Sequence, residues 1–347
     1  MKDEFRLMTE EQKELTALLR QIAAKELTPV CAEMDEKSEF PFEVFHKLCD
    51  AGLYGLQVPK EYGGLGVDYQ TMVMLHEELG KIDAGFSFAF FISCSNANAV
   101  FHNSTSEEQK QYMADRILND HAMVSICITE PGAGSDAAAI TTSYTKDGDE
   151  YILNGTKCFI SGAANADIFI VVASGDRSKG SKGLSLFLVD RKCGVQVGKH
   201  ENKMGIRMSD TCEVIFDNVR IPSSSLIGEE FKGFKYIMQY LEKVRFTTMA
   251  CGLGGAQGAF EYAVQYAKER TQFGKPIIQN QALAFKLAEM QIKLHAARAM
   301  LQYAARVADE GGTLGDLSPS AKVFSSDVCV WVCQEALQIL GGYGYMK

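Results

Sequence analysis

The hydrophobic pattern of this 347-residue chain changes its period twice, and this change constrains the fold more than any other feature. Near the N-terminus, Thr9 to Gln12 has the pattern of a helix capping box, and apolar residues follow it at helical spacing. In the last third, an apolar stripe returns with a near-heptad repeat, which indicates antiparallel helix packing. The stripe consists of Leu283, Leu287, Met290, Leu294 and Leu301.

The middle of the chain has the pattern of β-strands. Short apolar runs of strand length carry turn-forming residues at their ends, and they lie at 167–172, 183–189 and 211–216. The chain is therefore predicted to be α+β, with an N-terminal helical domain, a middle β-barrel or sandwich domain and a C-terminal helical bundle. We predict that these three domains cover residues 1–120, 121–229 and 230–347.

A loop rich in proline and glycine follows the first strand-like run. Residues 124–129 alternate, which predicts a strand with Thr129 at its end. In the loop after it, Gly132 and Gly134 let backbone N–H groups approach a ligand, and Ser135 adds a hydroxyl donor suited to phosphate. The loop is predicted to bind an anion, although an ordinary surface turn has a similar composition.

A second candidate feature lies in residues 151–162, where Asn154-Gly155 joins two apolar runs. This dipeptide predicts a β-hairpin. On its second strand, Lys157, Phe159 and Ser161 are expected to share one face. An aromatic surface beside a hydroxyl donor suits a flat heteroaromatic ring, and a solvent-facing strand is the alternative.

The sequence resembles the acyl-CoA dehydrogenase family of flavoproteins along nearly its whole length. Three separated motifs carry the resemblance: C-I-T-E-P-G-A-G-S-D at 127–136, R-T-Q-F-G-K-P at 270–276 and Q-I-L-G-G-Y-G-Y at 338–345. Each motif alone would be weak, but their order and spacing also match the family.

The resemblance implies that the chain binds FAD. Thr129 matches the residue that contacts the pyrimidine end of the flavin, Phe159 an aromatic residue against the ring, and Ser161 a hydroxyl near flavin N5. Ser135 matches a residue that binds the FAD diphosphate and contributes to the substrate site. Four further positions match residues that reach the ADP half of FAD in a neighbouring subunit, which implies a homo-oligomer, expected to be a tetramer: Arg270, Phe273, Gln338 and Gly342.

The resemblance also implies the reaction, which is α,β-dehydrogenation of an acyl-CoA to the trans-2-enoyl-CoA, with electrons passed to an electron-transferring flavoprotein. Glu242 and Arg245 match positions that contact CoA and lie close to the catalytic base, although an ordinary ion-paired helix face has the same composition. Short, medium-length or branched acyl groups are expected.

No residue of the printed sequence matches the catalytic base. In most of the family the base follows the Gly-Gly-Tyr-Gly motif, and this sequence ends soon after it at Lys347; the minority position is occupied by Val244. We expect the natural chain to continue beyond Lys347 and the printed form to be impaired. Two alternatives remain open: a flavin- or CoA-binding scaffold without a base, and a flavoenzyme that uses oxygen as acyl-CoA oxidases do.

The composition argues against several other classes of protein, namely nucleic-acid-binding, membrane-spanning and metal-binding proteins. A net charge of −9 without a run of basic residues argues against sequence-independent nucleic-acid binding. No apolar run is expected to reach the ~20 residues of a membrane span. The ten cysteines are scattered, so reduced thiols are expected. Cys329 and Cys333 lie four residues apart, but no second Cys or His pair with zinc-site spacing accompanies them, so no metal site is expected. A cytoplasmic enzyme is predicted, or a mitochondrial matrix enzyme in a eukaryote.

Overall fold

The structure, a computed structural model, describes residues 8–346. Seven helices precede the long strands: α1 Glu10–Ile22, α2 Cys31–Lys37, α3 Phe42–Asp50, α4 Tyr69–Gly80, α5 Ala84–Asn96, α6 Asn98–Asn103 and α7 Glu107–Leu118. Seven strands follow: β1 Val124–Cys127, β2 Ser143–Asp147, β3 Glu150–Ser161, β4 Ile168–Ser174, β5 Leu184–Asp190, β6 Gln196–His200 and β7 Thr211–Pro222. The last part contains α8 Gly233–Glu269, β8 Thr271–Gln272, β9 Lys275–Pro276, α9 Gln281–Asp309 and α10 Leu317–Ile339.

This order confirms the predicted α+β class, with helices, then strands, then helices. The predicted capping box is also confirmed, because Thr9 Oγ1 accepts a hydrogen bond from the Gln12 backbone N–H at 3.2 Å. In return, Gln12 Oε1 accepts from the Thr9 N–H at 3.0 Å. The two reciprocal bonds satisfy donors that a helix start leaves open.

The described residues form two compact units, each built from several chain segments. The first unit takes the described residues of the ranges 1–31, 68–88 and 242–347, and the second takes 32–67 and 89–241. The three predicted domains were drawn differently, at 120/121 and 229/230, and those boundaries stay a prediction.

The first unit is a helical core. The predicted apolar stripe of α9 lies in it, since Leu287, Met290, Leu294 and Leu301 are buried and Leu283 packs partly buried against them. An ion pair joins two of its helices, because Arg298 of α9 donates to both carboxylate oxygens of Glu77 in α4, from Nε at 2.9 and 3.1 Å and from Nη2 at 2.7 Å. The Glu77 side chain is fully buried, and that of Arg298 is 12% exposed.

The second unit contains one curled seven-stranded sheet, which is the form taken by the predicted barrel or sandwich. The strand order is β1-β4-β2-β3-β7-β6, and β5 also pairs with β4. β1 runs parallel to β4, whereas β3 runs antiparallel along β7 over most of its length. One face of the sheet buries a core that includes Tyr144, Leu153, Phe187 and Val214.

The hairpin predicted at Asn154-Gly155 is wrong. β3 is continuous from Glu150 to Ser161, and its register against β7 shifts between Leu153 and Gly155. Gly155 is needed there for a close approach, because a Cβ on it would lie 2.5 Å from Thr142 Oγ1. The hairpin turn lies earlier, between β2 and β3, where Asp147 pairs with Glu150 and Gly148 has a φ of 63°.

One helical segment bears on the expectation that the chain has no membrane span. Within the described residues, the helical segment Ala84–Asn103 passes a test of length and hydropathy for such a span, with a mean hydropathy of 1.3 over its most apolar window. However, 78% of that window is buried inside the fold. The core helix of a globular protein passes the same test, because it is apolar on all sides.

Candidate functional site

The loop after β1 is built on a tight turn. Glu130 and Ala133 exchange two backbone hydrogen bonds of 3.0 and 3.1 Å, so that Pro131 and Gly132 form the tip. Neither Gly132 nor Gly134 has a left-handed φ, and a Cβ on either would meet no described atom within 4 Å. Neither glycine is therefore explained by the packing of the described chain. Both leave exposed backbone that a ligand can approach closely.

Thr129 was predicted to be the last residue of a strand over 124–129, but it lies two residues after the end of β1. β1 stops at Cys127, and the Thr129 carbonyl instead accepts a hydrogen bond of 2.9 Å from the backbone N–H of Cys158 in β3. The prediction failed by two residues because the Ile128 carbonyl accepts from the buried Lys157 side chain rather than from a neighbouring strand. Thr129 is half-buried and Ser135 is exposed.

A buried ion pair anchors this loop. Lys157 Nζ lies 3.0 Å from the Ile128 carbonyl oxygen and 2.8 Å from Glu130 Oε1. The Glu130 carboxylate also accepts hydrogen bonds from the Thr141 hydroxyl and backbone N–H, both at 2.6 Å, and from the Thr142 N–H at 2.9 Å. Burial alone would raise the pKa of Glu130, but the Lys157 charge and these hydrogen bonds hold it at about 2.

This depressed pKa predicts a pH dependence of stability. An unfolded glutamate titrates near 4.5, so the contribution of Glu130 is present above that pH and is lost as the pH falls toward about 2. We expect the free-energy difference between the parent and Glu130→Gln to shrink by roughly 3 kcal/mol over this range. Urea unfolding of both proteins in a pH series measures it, and a pH-independent difference would contradict the prediction.

Phe159 stands out in the second unit as an exposed aromatic residue with a strained backbone. Its side chain is 63% exposed and its φ is 58°, a left-handed value that bulky residues rarely adopt. The strain lies in a β-bulge, because the register against β7 shifts between Lys157 and Ile160. Ser161, two residues on, is half-buried at the end of β3.

The bulge corrects one sequence prediction. Lys157, Phe159 and Ser161 were expected to share a face, but Lys157 is completely buried while Phe159 projects outward. Simple alternation fails because the extra residue of the bulge shifts the facing of the side chains that follow it. The aromatic ring and the Ser161 hydroxyl remain candidates for contact with a flat ligand.

In the first unit, the second motif forms a small hairpin. Arg270 follows the last residue of α8 and donates its backbone N–H to the Tyr266 carbonyl at 2.8 Å. The turn between β8 and β9 consists of Phe273 and Gly274, whose φ values of 54° and 76° are typical of a type I′ turn. Phe273 at the tip is 96% exposed.

A surface cleft in the first unit brings two of the motifs together. Arg270 and Gly342 both line it, and they share it with Tyr266 and Gln272. Phe273 is not among its lining residues, nor is Gln338, which is exposed near the end of α10. Sequence reasoning missed Tyr266, which lies one helical turn before Arg270, and this spacing on one helix face could have revealed it.

Glu242 and Arg245 lie three residues apart on α8, and both are half-buried. Among residues 8–346 neither side chain takes part in an ion pair, so the alternative of an ion-paired helix face is not what these residues form. The Ser318 hydroxyl fixes the helix here by donating to the Glu242 carbonyl. Val244, between them, is half-buried as well.

Comparison with known families identifies the class of this chain. Models of the acyl-CoA dehydrogenase N-terminal, middle and C-terminal domains match residues 9–120, 125–219 and 232–347. The chain belongs to the acyl-CoA dehydrogenase family, whose members are oxidoreductases acting on the CH–CH group of acyl-CoA.

Individual relatives cover almost the whole chain. A 3-(aryl)acrylate reductase of Clostridium sporogenes is 40% identical over 98% of this chain and 90% of its own length. A caffeyl-CoA reductase-Etf complex subunit of Acetobacterium woodii is 38% identical, with the same two coverages of 98% and 90%. Among solved structures, butyryl-CoA dehydrogenase from Megasphaera elsdenii superposes with a TM-score of 0.94 at 37% identity, covering 98% of this chain and 90% of that one.

Proposed function

We propose that the chain binds FAD and catalyses α,β-dehydrogenation of an acyl-CoA thioester to the trans-2-enoyl-CoA. The observation that carries the proposal is the pairing, within one compact unit, of an exposed glycine loop with an exposed, strained aromatic residue. Family membership and the similarity to butyryl-CoA dehydrogenase support it. A short, medium-length or branched acyl group is the proposed substrate class.

The residues of the second unit fit a dinucleotide with a flat ring. The Ser135 hydroxyl and the open backbone at Gly132 and Gly134 suit a diphosphate, because hydrogen-bond donors can approach its oxygens without a Cβ in the way. Phe159 presents an aromatic face for the ring, with Thr129 and Ser161 as hydroxyl partners at its edge. Bound FAD would supply the two-electron acceptor for the reaction.

We assign the remaining matched residues to neighbouring functions. Arg270 and Gly342 would hold the ADP half of an FAD bound to a second copy, together with Phe273 and Gln338. Arg270 contributes a guanidinium suited to phosphate. For the CoA substrate, we propose that Ser135, Glu242 and Arg245 are the contacting residues.

An exposed apolar stripe on α10 supports self-association, and we propose a homotetramer. Val323, Val330 and Leu337 recur every seven residues along this helix, and each is more than half exposed. Phe285 and Ile292 of α9 are exposed with the same spacing. Such faces are typical of helices that pack against another chain.

Charge introduced into this stripe is expected to break the assembly. For Val330→Glu/Leu337→Glu we expect the subunit dissociation constant to rise by roughly 100-fold or more, because the glutamates would be buried without partners. Sedimentation velocity over a concentration series measures this. Ala17→Glu, at an exposed position of α1, is the control that adds charge outside the stripe. An unchanged mass for the double variant would contradict the proposed interface.

The electron partner is proposed to be an electron-transferring flavoprotein, since one relative is named as part of a complex with such a protein. Both relatives described above are named reductases, so we also consider processing of the same Cα–Cβ bond in the opposite direction. Assaying an acyl-CoA with an oxidised acceptor, and an enoyl-CoA with reduced electron-transferring flavoprotein, compares both directions. Peroxide formed in air without any protein acceptor would favour the oxidase-like alternative.

We propose that the catalytic base is not among the 347 printed residues. Of the two positions that the resemblance assigns to the base, one is occupied here by Val244 and the other is not among these 347 residues. The α-proton of a thioester needs both a base and polarisation of the carbonyl. A location in the cytoplasm, or in the mitochondrial matrix of a eukaryote, suits these substrates; one family relative is named mitochondrial.

Anaerobic titration of the FAD-loaded chain with a series of acyl-CoA thioesters tests the proposal. We expect FAD to bind stoichiometrically and acyl-CoA to perturb its visible absorbance, with slow bleaching that depends on acyl length. A chain extended by a segment with the missing base should bleach faster. Failure of FAD to bind would overturn the proposal, whereas tight FAD and CoA binding without bleaching in the extended chain would favour a scaffold.

A further inference from the structure

We infer that the buried Lys157–Glu130 ion pair positions both halves of the candidate ring site, the loop 128–136 and the β3 bulge at 158–159. Neither residue is proposed to touch the cofactor, so both are positioning residues. The inference deepens the proposed function and rests on it, because the ligand is taken to be FAD.

The loop half depends on the two charged groups directly. Lys157 Nζ holds the Ile128 carbonyl and Glu130 Oε1, on either side of Thr129. Glu130 in turn binds the backbone N–H groups of Thr141 and Thr142, which lead into β2. Three backbone segments thus converge on one ion pair, and the loop between them begins at a fixed place.

The bulge half depends on the backbone of the same lysine. Lys157 pairs with Val214, and Ile160 pairs with Cys212. Between these two pairs β3 contains one more residue than β7, which is the extra residue of the bulge. The Cys158 N–H donates to the Thr129 carbonyl at 2.9 Å, and Phe159 then takes its left-handed φ of 58°. The Lys157 side chain therefore holds the loop while its backbone begins the bulge.

The apolar surroundings of the Lys157–Glu130 pair indicate that the pair positions the backbone rather than adding stability. Lys157 is completely buried, with Val214 as its register partner and Cys127 nearby, and both of these residues are also fully buried. At such a place two apolar side chains stabilise a fold at least as well as an ion pair does, whereas a lone charge is strongly unfavourable. Only charged, directional donors and acceptors hold a carbonyl, a carboxylate and two N–H groups at fixed distances.

The test compares the parent with the double variant Glu130→Gln/Lys157→Met, in which no lone charge is buried. The matched control is Arg220→Gln, which breaks an exposed ion pair with Glu150 at the other end of β3. The double variant should keep cooperative unfolding, yet bind FAD at least 10-fold more weakly and change the visible circular dichroism of the bound flavin. In the apo protein, hydrogen exchange of a peptide covering 128–136 should accelerate at least 10-fold. Arg220→Gln should match the parent in FAD affinity, in flavin circular dichroism and in the hydrogen exchange of residues 128–136.

Each outcome decides a separate point. If the double variant matches the parent in FAD affinity, flavin circular dichroism and loop exchange, the positioning role is overturned. If all amides of the unit exchange faster, rather than those of the loop, the pair has a general structural role and the inference also fails. If the parent itself does not bind FAD, the proposed function fails, and selective acceleration of loop exchange still shows that the pair orders the loop.

Discussion

Glutamate at position 244 is expected to accelerate the bleaching of FAD by acyl-CoA in the 347-residue chain by about 10²–10⁴-fold, the usual contribution of a general base. Val244 lies on α8 directly before Arg245, is half-buried, and occupies the position at which the resemblance places the base in a minority of the family. In that minority, the resemblance gives a carboxylate at this position the role of removing the α-proton. Anaerobic stopped-flow measurement of flavin absorbance gives the rate.

The matched control is Val244→Gln, which has the size of glutamate without a proton acceptor. We expect Val244→Gln to bleach FAD no faster than the parent. Val244→Glu is not expected to reach a full catalytic rate, because the resemblance also gives the backbone N–H of the natural base a part in polarising the thioester carbonyl. Equal rates for the two variants would contradict the assignment of position 244 as a place for the base.

Breaking the ion pair between Glu77 and Arg298 is expected to have the largest effect on stability. For Glu77→Gln we expect the free energy of unfolding to fall by about 3–5 kcal/mol, because the largely buried guanidinium of Arg298 would lose its counter-charge. The pair is well formed, with three hydrogen bonds between guanidinium and carboxylate and a fourth from Arg298 Nη2 to Gln257 Oε1 at 2.9 Å. Thermal unfolding should show a midpoint lower by roughly 4–7 °C.

The same helix offers a control. Arg306 and Glu310 form an exposed ion pair at the end of α9, and Glu310→Gln should change the unfolding free energy by less than about 1 kcal/mol. The double variant Glu77→Leu/Arg298→Met should recover much of the loss, since no lone charge remains buried. A loss for Glu77→Gln no larger than that for Glu310→Gln would show that the buried pair contributes little.

The candidate site could be located from the sequence in part. Residues whose position depends on neighbours along the chain were foreseen, such as the capping box at Thr9 and the buried face of α9. The glycine loop was foreseen as well, because a run of proline and glycine directly after a strand pattern can be recognised in the sequence. The cleft beside Arg270 was not, since it requires the end of α8 and the end of α10 to come together.

By itself, the sequence determined the succession of helices, strands and helices, because helical and strand periods are local properties of the hydrophobic pattern. Its three motifs also determined the family. Only the tertiary structure decided that β3 continues through Asn154-Gly155, that Lys157 is buried and that Phe159 projects with a strained backbone. These features depend on the register between β3 and β7, whose residues are far apart in sequence, and no local period encodes where one strand gains a residue over its partner.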